Sequence, residues 1–317
     1  MKLLTISELA KELLSGDNYV MLTHRRPDGD TIGCAVALTR GLRNLGKTAH
    51  ILENSQFTEK YRPYLDGLTA EAVAENATLI AVDVAAEGIL SYNAENYVNQ
   101  ITYRIDHHGG RADFAQKGYV DPEAAACGEI ILALLEEMEA PLDAKIGEAL
   151  YVAISTDTGC FRFSNVTAST LRAAAKCKDL GADTFAVNQV MFLTKRLSRL
   201  KLDAYLAENT EFYAEGSVAV SAIPDELRSR LGLTEDDLDD ISGFGREIEG
   251  VKVAVMLRQV PDGGKISVRT APGYDASAIC ARLGGGGHKA AAGATVTGGI
   301  EAAKAAILDV LQEMELI

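Results

Sequence analysis

Three short apolar runs in the first third of the chain each end in side chains that can bind metal ions. The runs cover residues 19–23, 78–82 and 101–105. The side chains that follow them are His24, Asp28, Asp30, Asp83, Asp106, His107 and His108. In an open parallel sheet, ligands bind in the crevice outside the carboxyl ends of the strands. The pattern therefore predicts a metal site at one edge of such a sheet, with Asp157 as a further contributor.

Between residues 18 and 159, short β-rich runs alternate with segments of helical periodicity. This alternation is typical of βαβ units and predicts an α/β fold with a mostly parallel sheet and flanking helices. We expect strands at 19–24, 48–52, 78–84 and 101–107. We expect helices at 31–45, 127–138, 144–156 and 167–180.

The length of 317 residues indicates two domains, since a domain usually has roughly 100 to 200 residues. We expect a catalytic, metal-binding domain at 1–187 and a smaller α+β domain at 210–317. One long helix is expected to link them at 188–209, with a basic cluster of Lys195, Arg196, Arg199 and Lys201. This helix is interpreted as a solvated connection, and the alternative is that it lines the substrate cleft.

The composition excludes several classes of protein. The 31 basic and 45 acidic side chains give a net charge of −14, which argues against a long nucleic-acid groove because affinity for such polymers comes mainly from phosphate neutralisation. The five cysteines form no C-x-x-C pair, so neither a disulfide framework nor a zinc knuckle is expected. No apolar run approaches the roughly 20 residues that span a bilayer. We expect a cytoplasmic protein without a membrane segment.

The loop 24–33 offers one imidazole and two carboxylates within seven residues. Such a loop can supply ligands to two neighbouring cations, with Asp28 and Asp30 facing different ions and Asp83 bridging them. Mixed imidazole and carboxylate ligation suits Mn²⁺, Co²⁺ or Mg²⁺ better than structural zinc, and we favour Mn²⁺. The alternative is that His24, Asp28 and Asp30 only cap the following helix.

Five motifs in order resemble the DHH phosphoesterase superfamily. The first four are H-x-x-x-D-x-D-x-x-G at 24–33, Asp83 after LIAV, DHH at 106–108 and TDTGCFRF at 156–163. The fifth comprises SVRT at 267–270 and GGGGHKAAAG at 284–293, which resemble the DHH-associated domain of the nanoRNase and pAp phosphatase branch. The resemblance covers nearly the whole chain. Three positions depart from the family pattern, namely Cys34, Arg111 and Cys127.

The resemblance implies a pair of divalent cations and a set of residue roles. One cation would be bound by His24, Asp28 and Asp83. The other would be bound by Asp30, Asp83, His107 and Asp157. His108 would reach the substrate phosphate or the attacking water, and Asp106 would support the ligands by hydrogen bonding. Because adjacent strand residues point to opposite faces, His107 and His108 should differ in role unless the strand has ended.

The resemblance also implies direct attack by a metal-activated water, whereas a nucleophilic Asp or Ser would be the rival mechanism. The second domain would select the substrate through a glycine loop and two arginines. These residues are Gly284, Gly285, Gly286, Gly287, His288, Arg258 and Arg269. We expect the glycines to expose backbone N–H groups to an anion at the start of a helix. A merely flexible loop is the alternative. Arg111 and Arg162 are further candidates for phosphate contacts.

We therefore expect an enzyme that hydrolyses short single-stranded oligoribonucleotides to mononucleotides, with pAp as a second small-nucleotide substrate. A cleft between the domains would set the substrate length. Two alternatives remain open, namely cleavage of cyclic dinucleotides or pApA, and a catalytically silent nucleotide sensor. A homodimer is compatible with all three functions.

Overall fold

A computed structural model of the protein describes residues 1–110, 113–261 and 263–317. The chain forms two compact units, Met1–Thr194 and Lys195–Ile317. Each unit has its own sheet and its own apolar core. The predicted α/β fold with a smaller α+β unit after it is confirmed.

In the described residues of the first unit, seven strands form one sheet in which all neighbours pair in parallel. In chain order they are β1 (Lys2–Leu3), β2 (Tyr19–Leu22), β3 (Ala49–Leu52), β4 (Thr69–Ala70), β5 (Thr78–Val82), β6 (Ile101–Asp106) and β7 (Lys117–Val120). Across the sheet the order is β1-β7-β6-β5-β2-β3-β4. The direction of progression reverses between β2 and β5, which is the position where sheets of this kind bind ligands.

The first unit covers its sheet with helices on the side where most of the core lies. They are α1 (Ile6–Ser15), α2 (Gly29–Asn44), α3 (Arg62–Leu65), α4 (Cys127–Glu137), α5 (Ala144–Asp157), α6 (Ala168–Asp179) and α7 (Thr184–Asn188). α2 is buried over most of its length because it packs against α4 and α5 as well as the sheet. The loop that begins α2 is therefore anchored to the core of the unit.

The second unit has a mixed six-stranded sheet in its described residues, ordered β12-β13-β11-β10-β9-β8. The strands are β8 (Glu211–Tyr213), β9 (Val218–Ile223), β10 (Val253–Val260), β11 (Gly263–Thr270), β12 (Gly286–Gly287) and β13 (Ala291–Val296). The helices are α8 (Leu197–Asn209), α9 (Asp225–Leu231), α10 (Ala276–Ala281) and α11 (Gly299–Glu313). Ile279 of α10 and Ile307 of α11 share a core with Val255 and Ile266 of the sheet.

The predicted continuous linker helix over 188–209 is wrong. After α7 the chain makes a π-helical turn at Gln189–Leu193, and α8 begins only at Leu197. Thr194 and Arg196 have extended backbone conformations, so the helix is broken between the two segments. Because Leu202 and Leu206 of α8 are buried in a core cluster of the second unit, tertiary packing fixes this helix independently of α7.

The basic cluster at the start of α8 is neutralised within the second unit. Lys195 Nζ lies 3.0 Å and Arg199 Nε 2.8 Å from carboxylate oxygens of Asp203. Arg196 Nη1 lies 2.9 Å from Asp237 Oδ2, and the Asp237 side chain is buried. These ion pairs indicate a structural role for the three cations and do not support the alternative that they line a substrate cleft.

Candidate metal centre

The three motif-bearing strands are neighbours in the sheet, in the order β6-β5-β2. Their carboxyl ends therefore bring the DHH triplet, Asp83 and the loop after His24 to one edge, as the sequence predicts. β6 ends at Asp106, so His107 and His108 lie beyond the strand and the strand alternation does not separate their roles. The two rings contact each other edge to face, with centroids 4.5 Å apart.

One group of ligand-type side chains comprises His24, Asp28 and Asp83, whose candidate ligand atoms all lie within 4.8 Å of one another. His24 Nε2 is 3.7 Å from Asp28 Oδ2 and 4.0 Å from Asp83 Oδ2. The other ring nitrogen, Nδ1, lies 2.7 Å from the carbonyl oxygen of Arg25. That contact orients the imidazole so that Nε2 faces the carboxylates.

A second group comprises Asp30, His107 and Asp157, and a third shares Asp83 and His107 with these two and adds Asp106 and His108. His107 Nε2 lies 3.7 Å from Asp30 Oδ2 and 3.3 Å from Asp157 Oδ2. It also lies 3.6 Å from Asp83 Oδ1, so the Asp83 carboxylate faces both groups. Asp157 is the last residue of α5, so this carboxylate comes from the end of a helix and not from the end of a strand.

The capping interpretation is correct in part, and it is compatible with ligand binding. Asp28 is the N-cap of α2, since its Oδ1 accepts a hydrogen bond from Thr31 N at 3.0 Å, while Oδ2 faces His24. Asp30 caps a different helix, because its oxygens accept hydrogen bonds from the backbone N–H groups of Cys127 (2.6 Å) and Gly128 (3.0 Å) at the start of α4. Such bonds fix both carboxylates in place.

Two buried polar atoms at this edge have no hydrogen-bond partner among the described residues, Asp83 Oδ1 and His107 Nε2. Burying such atoms without partners is costly, and native proteins rarely do so. Asp83 is also held in the left-handed region, with φ 56°, and its other oxygen accepts a 2.7 Å hydrogen bond from Thr31 Oγ1. A cation shared by the two unsatisfied atoms would explain them, so the donor set fits divalent metal ions.

The raised pKa values at the site come from burial and from the charges of neighbouring carboxylates. Burial together with the charges of Asp28 and Asp83 raises the pKa of Asp157 to about 8. Burial and the charges of Asp83 and Asp157 hold the pKa of Asp30 well above its usual range. Burial opposes protonation of His24, but Asp28 and Asp83 outweigh it and raise its pKa to about 9. Bound cations would relieve the same repulsion.

Asp106 and His108 form a pair at the edge of the site. Asp106 Oδ1 lies 2.8 Å from His108 Nδ1 and accepts a 3.0 Å hydrogen bond from the backbone N–H of His108. The side-chain hydrogen bond between His108 Nδ1 and Asp106 is the main cause that raises the pKa of His108 to about 9. Sequence reasoning missed the partner behind Asp106, the buried Arg104. Its position two residues before the triplet, inside an apolar strand, was the available signal.

The glycine loop of the second unit differs from the expectation. It follows the end of α10, and Gly286–Gly287 pair as a short strand with β13, so the predicted helix start is wrong. A Cβ at Gly285 would lie 2.1 Å from the carbonyl oxygen of Gly293, whereas one at Gly286 would meet nothing within 4 Å. Close backbone pairing with β13 therefore explains part of the glycine run. His288, which follows it, is exposed.

The two arginines predicted to bind phosphate lie on paired strands, Arg258 on β10 and Arg269 on β11. Arg258 pairs across the strands with Lys265, and Lys265 lies four residues before Arg269 on β11. The side chains of Arg258 and Arg269 therefore lie on the same face of the sheet, and Val268 lies on the other face. Both arginines are partly buried. Arg162 Nε donates a 2.6 Å hydrogen bond to the Gly159 carbonyl, which favours a local structural role. Arg111 lies outside the described residues.

Two family models match the chain. The DHH family N-terminal domain matches residues 18–154 and the DHHA1 domain matches residues 215–314. The bifunctional oligoribonuclease and PAP phosphatase NrnA of Thermus thermophilus is 33% identical over 94% of this chain and 89% of that protein. The chain belongs to the DHH family. The protein of the same name from Bacillus subtilis is 26% identical over 92% of this chain and 93% of its own.

A solved structure supports the fold. The exopolyphosphatase-related protein of Bacteroides fragilis superposes with a TM-score of 0.85 at 22% identity, covering 97% of this chain and 95% of that one. Among the helices of the described residues, none has both the length and the apolar character needed to cross a bilayer.

Proposed function

We propose that this DHH-family protein is a metal-dependent phosphoesterase that hydrolyses short oligoribonucleotides to mononucleotides and pAp to AMP. The observation that carries the proposal is the meeting of two ligand groups at one sheet edge, with Asp83 facing both. The names of the Thermus and Bacillus relatives support the choice of substrates. They favour this function over cleavage of cyclic dinucleotides, and a complete ligand set argues against a silent sensor.

The ligands proposed for two divalent cations are the six side chains of the two groups, His24, Asp28, Asp30, Asp83, His107 and Asp157. Mn²⁺ is the proposed ion, with Mg²⁺ and Co²⁺ as alternatives, because imidazole and carboxylate ligands suit all three. Such a pair of ions supplies a nucleophilic water at neutral pH and neutralises phosphate oxygens. The protein contributes rigid placement, since hydrogen bonds from the backbone or from Thr31 hold Asp28, Asp30 and Asp83.

His108 and Asp106 are proposed to act on the substrate side of the centre. The His108 side chain is one-third exposed, whereas Asp106 is fully buried, so only the imidazole is accessible to a substrate phosphate. With Asp106 accepting from Nδ1, Nε2 is an acceptor in the neutral ring and a donor in the protonated ring. A protonated His108 would stabilise negative charge on the phosphate or donate a proton to the departing oxygen.

Substrate selection is proposed for residues 210–317, and hydrolysis for residues 1–187. Arg258 and Arg269 offer guanidinium groups that can bind phosphate oxygens in pairs. The glycine loop Gly284–Gly287, which is exposed except at the half-buried Gly285, and the side chain of His288 would contact a second phosphate or the terminal nucleotide. Arg111 stays a proposed contact. Five free cysteines support a reducing cytoplasm as the location, and a homodimer stays a prediction.

One assay tests the proposal. The metal-free protein is supplied in turn with Mn²⁺, Mg²⁺ and Co²⁺, and product release is followed from a diribonucleotide, a pentaribonucleotide, pAp, cyclic di-AMP and pyrophosphate. We expect Mn²⁺-dependent release of mononucleotides and of AMP from the first three substrates. Faster turnover of cyclic di-AMP would support the alternative instead. Binding of the dinucleotide without turnover under any metal would identify a sensor.

A further inference from the structure

Arg104 has the largest side chain among the fully buried residues of the described chain, with 0% of its surface exposed. It lies in β6, two residues before Asp106, and the other residues of that strand are Ile101, Thr102, Tyr103 and Ile105. Burying a charged pair is expensive, and replacing one by apolar side chains is often neutral or stabilising. Stability alone therefore does not account for an arginine at this position.

The guanidinium group joins two loops of the metal centre. Nε donates hydrogen bonds to the carbonyl oxygen of Val84 and to Asp106 Oδ2, both at 3.0 Å. Nη2 donates to Asp106 Oδ2 and, at 3.3 Å, to the carbonyl oxygen of His108. Val84 directly follows Asp83, so one side chain ties the end of β5 to the DHH segment after β6.

Both loops need such a restraint because neither has regular secondary structure at the site. Asp83 has φ 56°, a conformation that costs energy for a residue with a side chain and persists only where surrounding contacts enforce it. β6 has ended before His107 and His108, so ladder hydrogen bonds do not hold these two residues. The planar fork of arginine can reach two carbonyl oxygens and a carboxylate together, whereas the single ammonium of lysine cannot keep that geometry.

We infer that Arg104 is a positioning residue of the metal centre, acting through the Val84 carbonyl on Asp83 and through Asp106 on His108. Its hydrogen bonds go to Val84, Asp106 and His108, and none goes to a proposed ligand atom. The inference rests on the metal centre proposed above. Arg104, which lies outside the motifs, would thus hold Asp83 Oδ1 and the imidazoles of the DHH triplet in fixed positions relative to one another.

The test compares Arg104→Lys with Arg43→Lys. Arg43 also joins backbone carbonyls of the first unit, donating to Ala49 O at 2.7 Å and Gly67 O at 2.9 Å, but it is not part of the site. Mn²⁺ affinity is measured by calorimetry, unfolding by heating in EDTA, and kcat and KM with a diribonucleotide. We expect Arg104→Lys to weaken Mn²⁺ binding about 10- to 100-fold and to lower kcat, with KM nearly unchanged. Arg43→Lys should leave Mn²⁺ affinity, kcat and KM at the wild-type level.

The inference is overturned if Arg104→Lys lowers the unfolding temperature but binds Mn²⁺ and turns over as the wild type does. A second arm uses Asp106→Asn alone and combined with Arg104→Lys, where the effects on kcat should be far from additive if the arginine acts partly through Asp106. Additive effects would contradict that route. Because the Mn²⁺ titration needs no substrate, an error in the proposed substrate leaves this result unchanged, whereas a wild type that binds no Mn²⁺ refutes the centre itself.

Discussion

The candidate metal centre of the first unit and the glycine loop of the second are both proposed to contact substrate phosphates, yet they are built in opposite ways. At the centre, Asp30, Asp83 and Asp106 are at most 2% exposed, and named hydrogen bonds hold each of them. In the glycine loop, Gly284 and Gly286 are exposed and have no neighbour that would oppose a side chain. One site is made of buried charges and the other of accessible backbone.

Because the two sites are built differently, we expect substitutions in each to change different properties of the protein. Buried, mutually repelling carboxylates make the first site unstable without cations, so changes there should affect metal affinity, activity and stability together. The exposed positions of the loop carry little of the fold, so changes at those positions should affect substrate binding alone. Five predictions test that division.

Asp83→Asn should have the largest effect. It keeps the acceptor for the Thr31 hydroxyl but removes the charge that faces both ligand groups. We expect activity to fall by more than about 100-fold, beyond the usual effect of changing a partner of a ligand. The metal-free protein should instead unfold roughly 2–4 °C higher, since about 1 kcal/mol of repulsion is removed. Exposed Asp66→Asn is the control, and full activity in Asp83→Asn would refute the shared ligand.

Mn²⁺ affinity should depend strongly on pH. The pKa of His24 is raised to about 9 in the metal-free protein, so below pH 9 a proton competes with the metal. We expect the affinity to fall about tenfold per unit from pH 9 to 8 and more steeply below pH 8, where Asp157 is protonated as well, as measured by calorimetry. A flat profile would contradict this, and His24→Gln should remove the dependence due to that ring.

The same shift makes a prediction for unfolding in EDTA. The pKa of His24 is higher in the folded than in the unfolded chain, so protonation of His24 stabilises the folded protein. This contribution is complete below about pH 6.5 and is lost as the pH rises through about 9. The raised pKa values of Asp30, Asp83 and Asp157 act in the same direction. The metal-free protein should therefore lose stability as the pH rises, and saturating Mn²⁺ should suppress that loss.

Arg269→Ala should affect the substrate and spare the metal. Loss of a charged hydrogen bond to phosphate, about 1.5–3 kcal/mol, should raise KM for a diribonucleotide about 10- to 100-fold. Mn²⁺ affinity should stay at the wild-type value because Arg269 belongs to the other unit. If Arg269→Ala weakened Mn²⁺ binding by the same factor by which it raised KM, substrate binding in the second unit and metal binding in the first would not be separate.

The smallest effect is expected from Gly286→Ala, which tests whether the loop approaches a ligand. No atom lies within 4 Å of the added Cβ, so the unfolding temperature should not change, while KM should rise a few-fold if backbone contacts a phosphate. Gly285→Ala is the matched comparison, because its Cβ would clash with Gly293 and should lower stability. An unchanged KM in Gly286→Ala would leave the glycines with a purely structural role.

The strands and helices of the first unit were largely predictable because apolar runs and helical periodicity are local. The predicted strand over 101–107 appears as Ile101–Asp106, and the helix over 144–156 as Ala144–Asp157. The interrupted helix near Thr194 was not predictable, since Leu202 and Leu206 find their core only in the folded second unit. The prediction for the loop after α10 was wrong for a similar reason, because the pairing of this loop with β13 is a tertiary contact.

The sequence by itself determined which side chains could meet, since His24, Asp83 and the DHH triplet each follow a strand and parallel strands end at one edge. Only the tertiary structure decided that the two oxygens of Asp83 face different imidazoles, that Asp30 caps α4, and that Arg104 donates hydrogen bonds to Asp106 behind the triplet. The physical reason is range. Strand and helix patterns come from neighbouring residues, whereas the burial and pairing of a charge depend on segments that folding alone brings together.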